Sequence, residues 1–227
     1  CVRRTRLIAT LGPATDSLKA IRALIEAGTD AFRINMSHAA HEWAREVSAR
    51  IREAAKDAPR ERPVAILFDL QGPSIRTGKL TTPLELDPGD QIEFRHEGST
   101  PALPASTTVN YSSLVNDVNI GDTLLVDNGA MIMKIAGVTS DRITCEVMTH
   151  GTIGSRRHIN LPGVRLNLPA LTEKDRADIE VAVECQADFV AGSFVRDAAH
   201  VNELRATIAE AGGHAQLIAK LEDQEAI

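Results

Sequence analysis

At 227 residues with 43% apolar side chains, the chain is long enough for one or two domains with a sizeable core, which excludes disorder and a fibrous repeat. Aromatics are only 3%, so that core is aliphatic; a net charge of −6 with one Trp and one Tyr lacks the basic surface and stacking platform of a nucleic-acid binder. No apolar run approaches the roughly 18 residues of a membrane helix, and the basic start at Arg3-Arg4-Arg6 meets Gly12-Pro13 too soon for a signal peptide.

The first third alternates strand and helix. Thr5 to Thr10 is a short β-branched run closed by Gly12-Pro13. Leu18, Ile21, Leu24 and Ile25 follow at helical spacing, with Asp16 or Ser17 as cap and Gly28 as stop. Thr29 to Ser37 reads as a second strand. Trp43, Val47 and Ile51 mark one face of a second helix that ends near Lys56-Asp57. Pro63 to Asp69 is a third strand, apolar on both faces. Such strands joined by helices predict a parallel sheet covered by helices.

From Lys79 to Asn160 there is no convincing helical period. Turns are marked at Pro83, Pro88-Gly89, Gly121, Gly129 and Gly137. Between them lie short alternating runs: Asp90–Phe94, Thr123–Val126, Met131–Ile135 and Ile143–Val147. This reads as a small all-β domain. Asp127-Asn128-Gly129 is a type I′ hairpin signal. Helices and strands then resume. Thr172-x-x-Asp175 is a capping box opening a helix with Ile179, Ala182 and Val183. Asp188 to Phe194 is a fourth strand. Val201, Leu204, Ile208 and Ala211 give a helix stopped by Gly212-Gly213, and Ala215 to Glu222 is a fifth strand.

The expected division is therefore 1–78, 79–160 as a β insert, and 161–227. A complete (β/α)8 barrel needs about 250 residues, roughly 30 per unit. The α/β part supplies about five units: an open five-stranded sheet, or an unfinished TIM-type barrel. The chain begins with Cys and stops at Glu225-Ala226-Ile227 just after a functional-looking strand, as a segment of a longer protein would. Cys1, Cys145 and Cys185 are odd in number, with no CxxC spacing, and read as reduced thiols of a cytoplasmic protein.

Strand alternation puts Arg33, Asn35 and Ser37 on one face of the second strand and Phe32, Ile34 and Met36 on the other. Polar groups at the C-terminal end of a buried strand mark where α/β folds bind ligands. The planar fork of Arg33 suits phosphate or carboxylate; the alternative is pairing with a core carboxylate. Lys220 and Glu222 likewise share a side. A Lys near a carboxylate there suits a developing enolate or phosphoryl charge, with the carboxylate on Mg²⁺; the alternative is a plain ion pair. Asp69, Gly72-Pro73 and Arg76 suggest an anion or metal site, or a strand-ending turn. His38 is a ligand contact or a loop-surface histidine. The other histidines show no metal-ligand spacing, and no Gly-rich phosphate loop is present.

Together these residues resemble pyruvate kinase. The matching segments are TRLIATLGPAT (5–15), FRINMSH (32–38), AILFDLQGPSIRTG (65–78), LLVDNG (124–129), NLPGVRLNLPALTEKDRADI (160–179), FVAGSFVR (189–196) and IAKLEDQEAI (218–227). The resemblance implies a (β/α)8 catalytic barrel, reaching here as far as strand five, with a β lid domain inserted after strand three. It implies phosphoryl transfer from phosphoenolpyruvate to ADP, giving pyruvate and ATP in glycolysis, by a cytoplasmic homotetramer that binds neither nucleic acid nor membrane.

By position, Arg33 resembles the Arg on the transferring phosphoryl group, and Lys220 the Lys on the enolate and phosphoryl charge. Arg76 and His38 resemble nucleotide and phosphate contacts, and Arg157 stands where a Lys near the lid junction is usual. Glu222 resembles a carboxylate on Mg²⁺ (or Mn²⁺). Asn35, Ser37, Asp69 and the Leu70 carbonyl resemble a K⁺ pocket. K⁺-activated members usually read Asp-Thr-Lys-Gly-Pro-Glu where this chain reads Asp69-Leu70-Gln71-Gly72-Pro73-Ser74. Leu-Gln there resembles the K⁺-independent branch, which carries a Lys at the position of Ser74. The expectation is K⁺ activation or no clear preference. The family's second metal carboxylate and a later Thr do not occur in these residues, so the 227-residue chain by itself is expected to be inactive and prone to aggregate. A non-catalytic phosphate-binding homologue and a C–C lyase on a pyruvate-binding barrel are the competing readings.

Overall fold

The computed structural model describes residues 4–56 and 63–222. Cys1, Arg3, Asp57 and the final Glu225-Ala226-Ile227 lie outside the described residues. The chain divides into two compact units: residues up to Pro73 together with those from Pro169 onward, and Ser74–Leu168.

The first unit holds a five-stranded parallel sheet. Its strands are β1 (Ile8–Thr10), β2 (Ala31–Asn35), β3 (Ala65–Asp69) and, after the second unit, two more. The helices between the first three are α1 (Leu18–Glu26) and α2 (His41–Lys56). The second unit runs through β4 (Ile75–Arg76), β5 (Leu84–Leu86), β6 (Gln91–His96), β7 (Ser106–Val109), α3 (Leu114–Asp117), β8 (Thr123–Val126), β9 (Met131–Val138), β10 (Arg142–Val147), β11 (Gly151–Ile153) and β12 (His158–Asn160). Then come α4 (Glu173–Glu184), β13 (Phe189–Gly192), α5 (Ala198–Glu210) and β14 (Gln216–Ala219).

The order β1-β2-β3-β13-β14 follows the chain. Each crossover therefore steps the same way, and right-handed crossovers then put every helix on one face. That is the winding of a (β/α)8 barrel, not of a doubly wound sheet. The packing agrees: α1 lies on α2, α2 on α4, and α4 on α5. Their apolar faces share one core with Phe32, Ile34, Ile66, Phe68 and Val190. At the two outer strands of the described sheet, Leu7, Ile8, Ile218 and Leu221 are exposed.

Local chemistry sets the helix ends. Ser17, not Asp16, caps α1 by accepting the Ala20 N–H. Asp16 instead accepts the indole N–H of Trp43 at 2.8 Å, tying α1 to α2. The capping box at Thr172 and Asp175 opens α4 as expected. Gly28 and Gly212 close α1 and α5 at positive φ.

The second unit pairs a seven-stranded sheet, β4-β12-β8-β9-β10-β6-β7, with a two-stranded one, β11-β5. It has its own core, around Ile92, Phe94, Met133, Ile143 and Val147. Its ends fall outside the expected 79 and 160. The reason is pairing and packing: β4 hydrogen-bonds to β12, and Leu161, Leu166 and Leu168 pack on the β core. Asn128 and Gly129 have φ of 57° and 87°, and the Ala130 N–H closes onto the Asp127 carbonyl, the turn the sequence signalled. Gly137 is not a turn. It lies within β9 beside a register shift opposite Thr144 and Cys145, a bulge. The short helix α3 was also not expected. Cys145 and Cys185 are free thiols. Burial pushes Cys145 up to about 12 and raises Cys185.

Glu93 is the fully buried acid of the β unit. Burial pushes its carboxyl up, but hydrogen bonds from Ala102, Ser106 and Arg142 outweigh this and hold it below its ordinary value of 4.5. A depressed folded-state pKa adds stability above the ordinary value and loses it as pH falls through the folded value. Glu93→Gln is therefore expected to lower the urea midpoint at pH 7, with the gap to the parent closing in acid. Equal midpoints at pH 7 would contradict this.

Candidate active site on the barrel strands

The register aligns the C-terminal ends of the five strands. Thr10 pairs with Arg33, Asn35 with Asp69, Asp69 with Ala191, and Gly192 with Ala219. Thr10 and Arg33 stand at one level, Asn35 and Asp69 two residues further along, and Ser193 and Lys220 directly beyond the ends of β13 and β14, so polar groups from all five strands gather at this end of the sheet. Phe32, Ile34 and Met36 are fully buried on the helix side, which leaves Arg33, Asn35 and Ser37 on the other face.

Asp69 is the centre. Its side chain is only 4% exposed. Arg33 donates to Asp69 Oδ2 from Nε at 2.7 Å and from its terminal nitrogen at 2.5 Å, while its other amino group reaches Thr10 at 3.1 Å. Lys220 Nζ lies 3.2 Å from Asp69 Oδ1 and donates to Ser193 Oγ at 2.8 Å. Ser193 in turn donates to the Leu70 carbonyl at 2.7 Å. Glu222 sits 3.4 Å from Lys220 and accepts the Phe194 N–H at 3.1 Å. The pairing alternatives are what the structure shows: Arg33 and Lys220 both ion-pair with buried Asp69, and Lys220 also lies against Glu222. About a third of each cation stays exposed, 32% for Arg33 and 31% for Lys220, so both keep a face for an anion.

The backbone around this network is constrained. Phe194 has φ of 55°, a left-handed conformation unfavourable for a bulky side chain. Gly72, at φ 70°, approaches Ser193 so closely that a Cβ would lie 2.8 Å from the Ser193 carbonyl oxygen. Only glycine fits there. The Asn35 side chain accepts the Ser37 N–H at 3.1 Å. The Met36 N–H donates to the Asp69 carbonyl.

Of the expected site residues, the structure joins Arg33, Asp69, Leu70, Lys220 and Glu222 directly. Asn35 and Ser37 adjoin them, and His38 is exposed on the following loop. Arg76 and Arg157 belong to the β unit. Arg76 donates to Ser74 Oγ at 3.1 Å and to the Arg156 carbonyl, and Arg157 pairs with Asp127 at 3.3 Å. The buried Ser74 hydroxyl thus serves Arg76. Thr10, Ser193 and Phe194 were not singled out from the sequence. Ser193 directly follows an apolar strand, the signal that picked out Asp69. Among the described residues no three His, Cys, Asp or Glu side chains gather as metal ligands. Among them, no helix is long and apolar enough to cross a membrane.

Residues 2–227 match the family described as pyruvate kinase, barrel domain. Plastidial pyruvate kinase 2 of Arabidopsis thaliana is 39% identical over 225 residues, covering 99% of this chain and 38% of that protein. The pyruvate kinase of Geobacillus stearothermophilus is 38% identical over 229 residues, covering 99% of this chain and 38% of that protein. The pyruvate kinase of Staphylococcus aureus is 34% identical over 229 residues, covering all of this chain and 39% of that protein. The chain thus spans about two fifths of the length of these relatives.

Replacing Asp69 by Asn keeps the shape and removes the charge that two cations share. The unfolding free energy is expected to fall by about 2 kcal/mol, less than for a fully buried pair because Arg33 and Lys220 stay partly solvated. Chemical denaturation at pH 7 measures it; an unchanged value would mean the cations do not depend on Asp69.

Proposed function

The chain belongs to the pyruvate kinase family, and we propose that its full-length gene product transfers the phosphoryl group of phosphoenolpyruvate to ADP, yielding pyruvate and ATP. The observation that supports this most is the pair of partly exposed cations, Arg33 and Lys220, locked on buried Asp69 at the strand ends.

Phosphoryl transfer leaves little covalent work to the protein; positioning and charge neutralisation dominate. The enol oxygen–phosphorus bond breaks as a terminal oxygen of the ADP β-phosphate forms the new bond. The substrate is left as an enolate, which takes up a proton to become pyruvate. Arg33 faces the transferring phosphoryl group with the edge of its guanidinium not engaged by Asp69. Lys220, fixed by Asp69 and Ser193, turns its remaining donor to the enolate and phosphoryl oxygens. Holding both cations in advance spares their reorganisation during the reaction. His38 is the candidate phosphate contact on the barrel strands; Arg76 and Arg157 are those of the β unit, considered by itself.

Mg²⁺ (or Mn²⁺) prefers one or two carboxylates and completes its shell with water and substrate phosphates. Glu222 fits as such a carboxylate; the ion, when bound, neutralises phosphate charge. Asn35 Oδ1, Ser37 Oγ, Asp69 and the Leu70 carbonyl are all oxygen donors, a set suited to K⁺. A homotetramer is the family assembly. The thiols favour a reducing compartment, the cytoplasm first, although two relatives are named as plastidial.

Lys220→Met in the full-length product is expected to lower kcat by about 10²–10³-fold, with a smaller change in KM, when ATP formation from phosphoenolpyruvate and ADP is followed with Mg²⁺. Turnover within twofold of the parent would remove Lys220 from the mechanism. Adding K⁺ is expected to raise the rate or leave it level; a tenfold loss would exclude the K⁺ assignment.

A further inference from the structure

Two of the loops that carry the site, those after β2 and after β3, are both held by the first turn of α4. Lys174 Nζ donates to the Met36 carbonyl at 2.7 Å. Its neighbour Asp175 accepts the Gly72 N–H at 2.9 Å through Oδ1. Asp175 also closes the capping box with Thr172, so the second tether coincides with an ordinary helix start. The first does not. Lys174 is unnecessary for capping, and an exposed i, i+4 pair would be worth only a few tenths of a kcal/mol.

What holds Lys174 in place is Asp178. Its side chain is fully buried. Its Oδ2 lies 2.6 Å from Lys174 Nζ, and its Oδ1 lies 2.7 Å from His41 Nε2, at the start of α2. A buried carboxylate needs such partners. The ammonium is thereby aimed at a backbone carbonyl instead of at solvent. That carbonyl lies between Asn35 and Ser37. The Ser37 N–H closes onto the Asn35 side chain, and the His38 and Ala39 N–H groups close onto the Asn35 carbonyl. The loop is thus fixed from inside by Asn35 and from outside by Lys174.

We infer that Lys174, aimed by Asp178 and His41, is a positioning residue that fixes the Met36–His38 loop for phosphoryl transfer. The inference rests on the function proposed above and adds residues that touch neither substrate nor metal. Misplacing a loop by about 1 Å is enough to cost up to about a hundredfold in rate.

The test uses Lys174→Met and Lys174→Arg in the full-length product. Amide exchange at Ser37, His38 and Ala39 is expected to rise about tenfold in Lys174→Met, with Gly72, held by Asp175, unchanged. kcat is expected to fall about tenfold and Tm to drop, because buried Asp178 loses a partner; Lys174→Arg, which keeps charge and donors, is expected to recover most of both. Unchanged exchange at Ser37–Ala39, or an equal rise at Gly72, overturns the tether. Raised exchange with kcat and KM both kept overturns its role in the reaction. If the parent forms no ATP from phosphoenolpyruvate and ADP, the proposed function falls, and with it the catalytic role of Lys174; the exchange measurement still decides whether the tether exists.

Discussion

A carboxylate buried at the end of a β-strand has to be compensated, and Asp69 is compensated twice. Arg33 comes to it from β2 and Lys220 from just beyond β14. Each partner belongs to a different strand, so the network can form only if the strands are in register. A one-residue slip would turn a whole strand's side chains to the opposite face. It would move Arg33 into the helix-packed core and bring Phe32 or Ile34 to the polar side. The site and the sheet therefore depend on the same alignment.

That alignment comes from packing on the far side of the sheet. Phe32, Ile34, Ile66, Phe68 and Val190 meet the apolar faces of α1, α2, α4 and α5 in one core. The polar ends gain their precision from backbone that tolerates little change. Gly72 lies against Ser193, Phe194 is held left-handed with its N–H on Glu222, and Ser193 links Lys220 to the Leu70 carbonyl. Strained and crowded backbone of this kind gathers at functional sites because the surroundings over-determine it. Here the charged cluster is what surrounds it.

The β unit follows the same rule of buried charge with a different outcome. Glu93 is buried, held by Arg142 and backbone N–H groups, with its carboxyl kept below the ordinary range. Arg142 is occupied by Asp141 and Glu93 together, which raises its pKa. No half-exposed cation is left at Glu93 to face a ligand, so this cluster serves the β core. The comparison with Asp69 shows what separates a structural ion pair from a candidate site: partners that keep one face in solvent.

Periodicity along the chain was enough to mark the five parallel strands, the four long helices and the β region between them, because each element buries an apolar stripe of fixed period. It also marked Arg33, Asp69, Lys220 and Glu222, since charged side chains at the ends of apolar strands stand out against their neighbours. The short β4, β5, β7, β11 and β12 were not singled out, because so few residues hold little period of their own; the equally short β1, β8, β13 and β14 were marked by apolar runs and flanking turn or helix signals. Gly137 read as a turn because a bulge and a turn share the same residue preference. The identity of each charged residue's partner was equally hidden. Arg33 with Asp69, Lys220 with Ser193, and Lys174 with Met36 join residues from 27 to 138 positions apart. Local sequence fixes which face a side chain takes; only the winding of the sheet and the packing of its helices decide what it meets there.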